Sequence, residues 1–284
     1  MKKTETIIKI TLVLLLLGRT IQHLFFDSPI RGVLYSKHFV NPILQLLNIN
    51  FNDYINSPNL DDSINTVIII IGILFLTLSG LTLLLYQLNN TAKKIVLYFS
   101  CFMLVLIAFG YFKEKSLSIG QFFEYSSQMF LPLFFLIKKQ KQLFFFKLTI
   151  GITFFCHGLY AIGYYPIPAN FVQMIISGTS FNNEQAFIFL HLVGVLDFIF
   201  AIAIFIPKIE TPFLWYGVIW GFLTSFARIY TNVYVDFFSS TLFYWIYEFL
   251  VRIPHFIIPL YLILMKKNNL SFLKRNIFNR RIAN

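Results

Sequence analysis

Ten ionisable side chains lie inside apolar stretches of this 284-residue chain: Arg19, His23, Glu124, His157, His191, Asp197, Arg228, Glu248, Arg252 and His255. A charged group at the centre of a membrane span costs at least ~2.5 kcal/mol on insertion scales, so such residues face a bundle interior or a watery cavity and take partners there. Glu248 and Arg252 stand at i and i+4 on one helical face and can pair directly. Asp197 needs a partner from another helix, for which Arg19, Arg252 or a histidine serves. His157 and His191 fall at comparable depth on consecutive apolar runs, the arrangement that a bis-histidine haem or a quinone site would use. Two arrangements account for the set. Either the first nine line one polar cavity open to the outside, or they form separate interhelical pairs that hold a bundle together.

The elements that must position these residues follow from composition. Hydrophobic residues make up 57% of the chain and charged residues only 12%, with a mean hydropathy of +0.72. Soluble domains carry roughly a quarter charged residues, so a water-covered surface cannot be built here and lipid must be the solvent. Runs of about 20 apolar residues, the length a bilayer demands of a helix, fall at 6–26, 65–86, 95–112, 118–137, 143–165, 186–206, 212–230 and 242–265. Leu12–Leu17, Val67–Ile71 and Phe198–Ile206 are apolar on every side, which rules out the alternation of a barrel strand. The expected fold is an all-α transmembrane bundle of about eight spans. Its parts are a first half at 1–142, a second at 143–265 and a basic tail at 266–284.

Charge orients these spans. With the N-terminus in the cytoplasm, sixteen of the 23 Lys and Arg residues fall on the inner side, among them Lys93, Lys94, Lys138, Lys139 and the tail from Lys266 to Arg281. Four fall outside: Arg31, Lys37, Lys113 and Lys115. This is the bias of the positive-inside rule, and it places both termini in the cytoplasm of a cell inner membrane. The net charge of +11 is therefore a topology signal and a contact for anionic headgroups; no nucleic-acid partner is expected. Lys2-Lys3 and the run to Leu17 imitate a signal peptide, but Gly18-Arg19-Thr20 follows instead of a small-residue cleavage site, so the segment reads as an uncleaved first helix.

On this topology His157 lies ~12 Å and His191 ~8 Å from the outer ends of their spans, at 1.5 Å per residue. Arg19, His23, Glu124, Arg228 and Glu248 also fall in the outer half, while Asp197, Arg252 and His255 are nearer the middle. The two long outer loops, Asp27 to Ser63 and Pro166 to Gln185, are either lids over that region or plain connectors. Four spans followed by four like them is the economical description. Gly18 to Phe26 corresponds to Gly151 to Tyr160, and Glu124, Gln128, Pro132-Leu133 to Glu248, Arg252, Pro259-Leu260. Four being even, the halves form a parallel repeat. Nucleotide-loop, zinc-protease and serine-elbow motifs are missing from the sequence. Cys101 and Cys156 read as packed thiols, and Gly217 and Gly221 as a close helix contact.

The segment from Lys147 to Arg228 resembles the DoxX-like group of small four-helix membrane proteins. The resemblance rests on Phe154-Phe155-Cys156-His157-Gly158, on the Pro-containing loop leading to Phe171 and Met174, and on Gly194-Val195-Leu196-Asp197. It covers about eighty residues, and the chain departs from the group in having about eight spans where four is usual. The likeness implies a redox- or quinone-associated accessory role, with His157, Gly158, Gly194 and Asp197 as the positions carried over and a membrane or periplasmic protein as partner. The residues themselves leave two further functions standing: a noncatalytic assembly or structural factor, and a small-solute transporter, for which Pro254 and Pro259 are the expected helix break.

Overall fold

A computed structural model describes residues 2–266, with side chains from residue 4 onward; the predicted tail beyond Lys266 lies outside the described residues. Helix α1 (Lys2–Phe25) ends where Asp27-Ser28-Pro29 interrupts the apolar run. The first long loop folds into three short helices, α2 (Ile30–Leu34), α3 (Lys37–Leu46) and α4 (Phe51–Ile55). Helix α5 (Leu60–Leu83) begins with Asp61 and Asp62 in its first turn, where carboxylates complement the helix dipole. Helix α6 (Asn90–Glu114) is capped by Asn89, whose side chain accepts from the Ala92 amide at 2.8 Å.

The fourth predicted span, 118–137, is not a continuous helix. It breaks into α7 (Ile119–Glu124), α8 (Ser126–Met129) and a 3-10 turn at Leu131–Phe135. Pro132 opens that turn, and the Ser126 hydroxyl donates to the Phe123 carbonyl oxygen at 2.7 Å. From Glu124 to Pro132 every residue except Phe130 is buried. Irregular backbone at membrane depth is tolerated only where protein covers it, and this segment meets that condition.

Helix α9 (Lys139–Ala161) is followed by a loop that folds into α10 (Ala169–Gly178). Helix α11 (Asn183–Ala203) starts on a full capping box between Asn182 and Gln185, and α12 (Glu210–Tyr230) runs back. The eighth predicted span is bent by 45° between α13 (Phe238–Leu250) and α14 (Ile253–Lys266). The cause is Pro254, whose ring clashes with the carbonyl four residues earlier, that of Leu250, where α13 stops.

Among the described residues, five helices are long and apolar enough to cross a membrane: the Thr4–Phe25 part of α1, α5, α6, α9 and α11. The bent pair raises the number to six. The expected eight are therefore not reached by length and composition, because Trp215, Trp220, Gly217, Gly221 and Arg228 lower the hydropathy of α12 and the fourth span is broken. The faces turned outward are apolar: Ile73 is 50% exposed, Phe102 55% and Ile202 66%. Apolar surface of this kind marks contact with a membrane or with a protein partner.

One buried cluster runs through both predicted halves, from Ile8, Leu12 and Phe75 through Phe134, Phe146 and Phe200 to Ile258 and Tyr261. Helix α1 packs chiefly on α5, and α9 on α11. Glycines set the closest approaches. A Cβ at Gly158 would lie 2.9 Å from the Gly194 carbonyl oxygen, and one at Gly221 2.9 Å from that of His255, so the close contact expected at Gly217 and Gly221 is realised against α14. At the end carrying α2 to α4, Arg31 bonds Asp27 and Asp61 at 2.8 and 2.7 Å, and the hydrogen bond to Asp27 raises the guanidinium above its ordinary value. At the opposite end Glu210 ties α9, α12 and α14 together by accepting from Lys147 and, at 2.6 Å, from Lys266.

Candidate functional site

The bend between α13 and α14 carries the ionic centre. Arg252 sits in the bend and bonds Glu248 on the preceding turn, the i, i+4 pair expected from sequence. Arg228, arriving from α12, lies 3.5 Å from the same carboxylate. Two guanidiniums thus share one carboxylate, and all three side chains are at least four-fifths buried. The Arg228 Nε has no hydrogen-bond partner.

A second carboxylate comes from the broken segment. Glu124 closes α7, accepts from Gln121 at 2.8 Å and lies 3.5 Å from His157 Nδ1. The His157 ring meets that of His255 at 5.3 Å, nearly edge to face. The bis-histidine pairing of His157 with His191 is not formed. His157 faces the interior, whereas His191 is exposed on α11 with its Nδ1 bonded to the Phe187 carbonyl oxygen at 2.7 Å. On a helix, two residues five to six apart point to different faces, and Asp197 rather than His191 has the inward one.

Arg19 is 2% exposed and has no carboxylate in hydrogen-bond contact. It donates to Gln22 and Gln128, both at 2.7 Å, and to Tyr111 at 3.4 Å. Its guanidinium lies 5.5 Å from the ring centres of Tyr111 and Tyr125, which stack on each other at 4.8 Å. Neutral donors, acceptors and π-faces therefore do the work of a counter-ion. His23 bonds the Arg19 carbonyl oxygen at 2.7 Å and leaves Nε2 unpartnered.

Asp197 takes none of the partners expected for it. Its carboxyl accepts from the Tyr216 hydroxyl at 2.7 Å, and the Trp220 indole bonds the same group. Tyr216 and Trp220 lie one turn apart on α12, which explains why one acid reaches both.

These residues border a cavity of about 440 Å³ enclosed by α9, α10, α11, α12 and the bend. His157, Asp197, Arg228 and Arg252 reach it; Phe154, Phe171, Leu190, Val193 and Trp220 supply apolar wall. Of the nine residues predicted for one cavity, these four line it, Glu124 and Glu248 stand behind as their partners, and Arg19, His23 and His191 do not line it. The second long loop covers the cavity through Phe171, Met174, Ile175 and Thr179 of α10 and its end. Between α10 and α12 the wall is also surface, since Leu223, Phe226 and Tyr230 line the cavity yet are 49%, 41% and 64% exposed. The first long loop contributes no lining residue.

Sequence reasoning missed the neutral half of the site: Gln22, Gln121, Gln128, Tyr111, Tyr125 and Tyr216. The signal was present for the glutamines, because an amide inside an apolar run is as anomalous as a charge; it was absent for the tyrosines, which are common throughout this chain. Among the described residues no group of three or more His, Cys, Asp or Glu is arranged to hold a metal ion. No protein-family model, curated protein or solved structure matches this chain.

Proposed function

We propose that this protein holds a lipid-soluble molecule inside the membrane, in the cavity between α9 and α12, and acts as an accessory membrane subunit. One observation carries the reading: a cavity walled by aromatic and aliphatic side chains, bordered on α12 by residues that are also surface-exposed, with Arg228, Arg252 and His157 among its lining. Apolar walls with few convergent polar groups are the mark of small-molecule sites. A quinone ring suits it, since Arg and His offer hydrogen-bond donors to its carbonyl oxygens and Phe154, Phe171 and Trp220 offer faces for stacking. That matches the quinone-linked role which the DoxX-like resemblance implies. On this reading α12 and the broken stretch supply the seventh and eighth crossings, the halves are parallel repeats, both termini are cytoplasmic, and the cavity serves the outer leaflet of the cell membrane.

The test is Trp220 fluorescence in neutral-lipid nanodiscs. A quinone with a decyl tail quenches it saturably in the wild type and far less in W220F. Quenching that rises linearly without saturation, or is unchanged by W220F, refutes the reading.

A second reading, transport of a solute, is favoured by one observation. The fourth element of each half is discontinuous, broken at 125 and 130 in the first and bent at 251–252 in the second. Interrupted segments at corresponding positions of two repeats flank binding sites in transporters. Net flux of a bound probe across sealed proteoliposomes distinguishes carriage from holding.

A further inference from the structure

We infer that the occupant of this cavity is a single-chain amphiphile with an anionic head, a carboxylate or a phosphate, seated on Arg228 with its tail directed toward Trp220. The inference rests on the cavity reading above and names the chemical class that the cavity selects.

The first ground is a charge count. Arg228 and Arg252 share the one carboxylate of Glu248, and Glu124 faces His157, so the bend carries two guanidiniums against one carboxylate. Asp197, the acid that lines the cavity itself, does not belong to this centre. It is bonded to Tyr216, twelve residues before Arg228 on α12, ~18 Å of helix rise away. One positive charge is left over in a place where an unbalanced charge is costly.

The second ground is the geometry of Arg228. Its side chain is 8% exposed and shares Glu248 with Arg252 at the longer distance of 3.5 Å, while Arg252 is in close contact with it. The residue borders the cavity, while its unpartnered Nε is closed off by protein. A planar guanidinium presents its donors in a fork that fits carboxylate or phosphate oxygens. A head group beside this guanidinium would balance the charge that Glu248 leaves over.

The third ground is polarity along the cavity. Arg228 is two residues from the end of α12 at Tyr230, whereas Trp220 is eight residues further in, ~12 Å along the axis. Val193, Leu190 and Phe154 are among the apolar residues that line the cavity. The guanidinium lies near the helix end, and at the inner end the carboxyl of Asp197 is already bonded by Tyr216 and Trp220, which leaves aromatic and aliphatic wall for a tail. Leu223, Phe226 and Tyr230 on α12 line the cavity and are exposed as well, so a chain entering past them would not have to leave the bilayer.

The experiment uses the full chain in neutral-lipid nanodiscs and four probes with brominated chains of equal length: a fatty acid, an alkyl phosphate monoester, a fatty alcohol and a decyl-tailed quinone. Quenching of Trp220, with W220F as blank, reports binding. Hydrogen bonds to a charged group contribute ~1.5–3 kcal/mol, so the anionic probes should bind roughly ten- to a hundredfold tighter than the alcohol. That preference should vanish in R228Q and survive in R228K. The fatty-acid and phosphate arms show which head the site prefers. Equal affinity for all four probes, or a preference for the quinone, overturns the anionic-head inference and leaves the cavity reading standing. Failure of every probe overturns both. Should R228Q bind nothing, R228K decides: loss of anion preference there also counts against Arg228 as the seat.

Discussion

Replacing Glu248 by Gln tests the ionic centre directly. The substitution keeps shape and removes one negative charge, leaving Arg228 and Arg252 at least 85% buried with their shared counter-ion gone. Removing one partner of a buried pair typically costs about 3–5 kcal/mol. For a chain of this size each kcal/mol moves the melting midpoint by roughly 2–4 °C, so E248Q should melt about 6–20 °C lower than wild type in the same detergent. Adding R252Q restores the charge count. The double variant should therefore lose less than the two single losses summed, by about 0.5–3 kcal/mol, as expected for residues in one network. Thermal unfolding followed by tryptophan fluorescence reads all four proteins. A shift below about 2 °C for E248Q, or strict additivity in the double variant, would show that the two arginines do not depend on this carboxylate.

Two further outcomes follow from the same geometry. Gly221→Leu drives a side chain into the His255 backbone, whose carbonyl oxygen lies 2.9 Å from where the new Cβ would stand, and should cost about 1–3 kcal/mol in thermal unfolding or prevent folding; wild-type stability would refute the close α12–α14 contact. Tyr216→Phe removes the hydroxyl that Asp197 accepts from and should cost about 1–3 kcal/mol, whereas Asp197→Leu in the Y216F background should recover part of it. No recovery would mean that the acid has another partner.

How much of this was legible beforehand depends on the kind of constraint. The long helices were readable because lipid imposes a length and an apolar surface: α1, α5, α6, α9 and α11 fall where the runs of sequence lie. The pair at 248 and 252 was readable because helical periodicity alone brings its members together. The break in the fourth span was not, although Pro132 and the neighbouring serines and glutamines announce it, since apolar content averaged over 118–137 conceals them. Partners across helices were out of reach. Depth along a helix places His157 and His191 at one level, but only rotation about the axis decides that one faces the cavity and the other the exterior. Asp197 was assigned a cation by charge logic and instead meets a hydroxyl and an indole, because α12 happens to present Tyr216 and Trp220 at its level.

On the proposed function a lipid-soluble molecule occupies the space between α9 and α12. Native mass spectrometry of the full chain released from nanodiscs tests it most directly, comparing wild type with Ala227→Phe, which places a ring inside the cavity wall. The wild type should retain one lipid-sized adduct and A227F should lose it, with both proteins melting within a few degrees of each other. A wild type that carries no adduct, or an adduct that A227F retains equally, would contradict it.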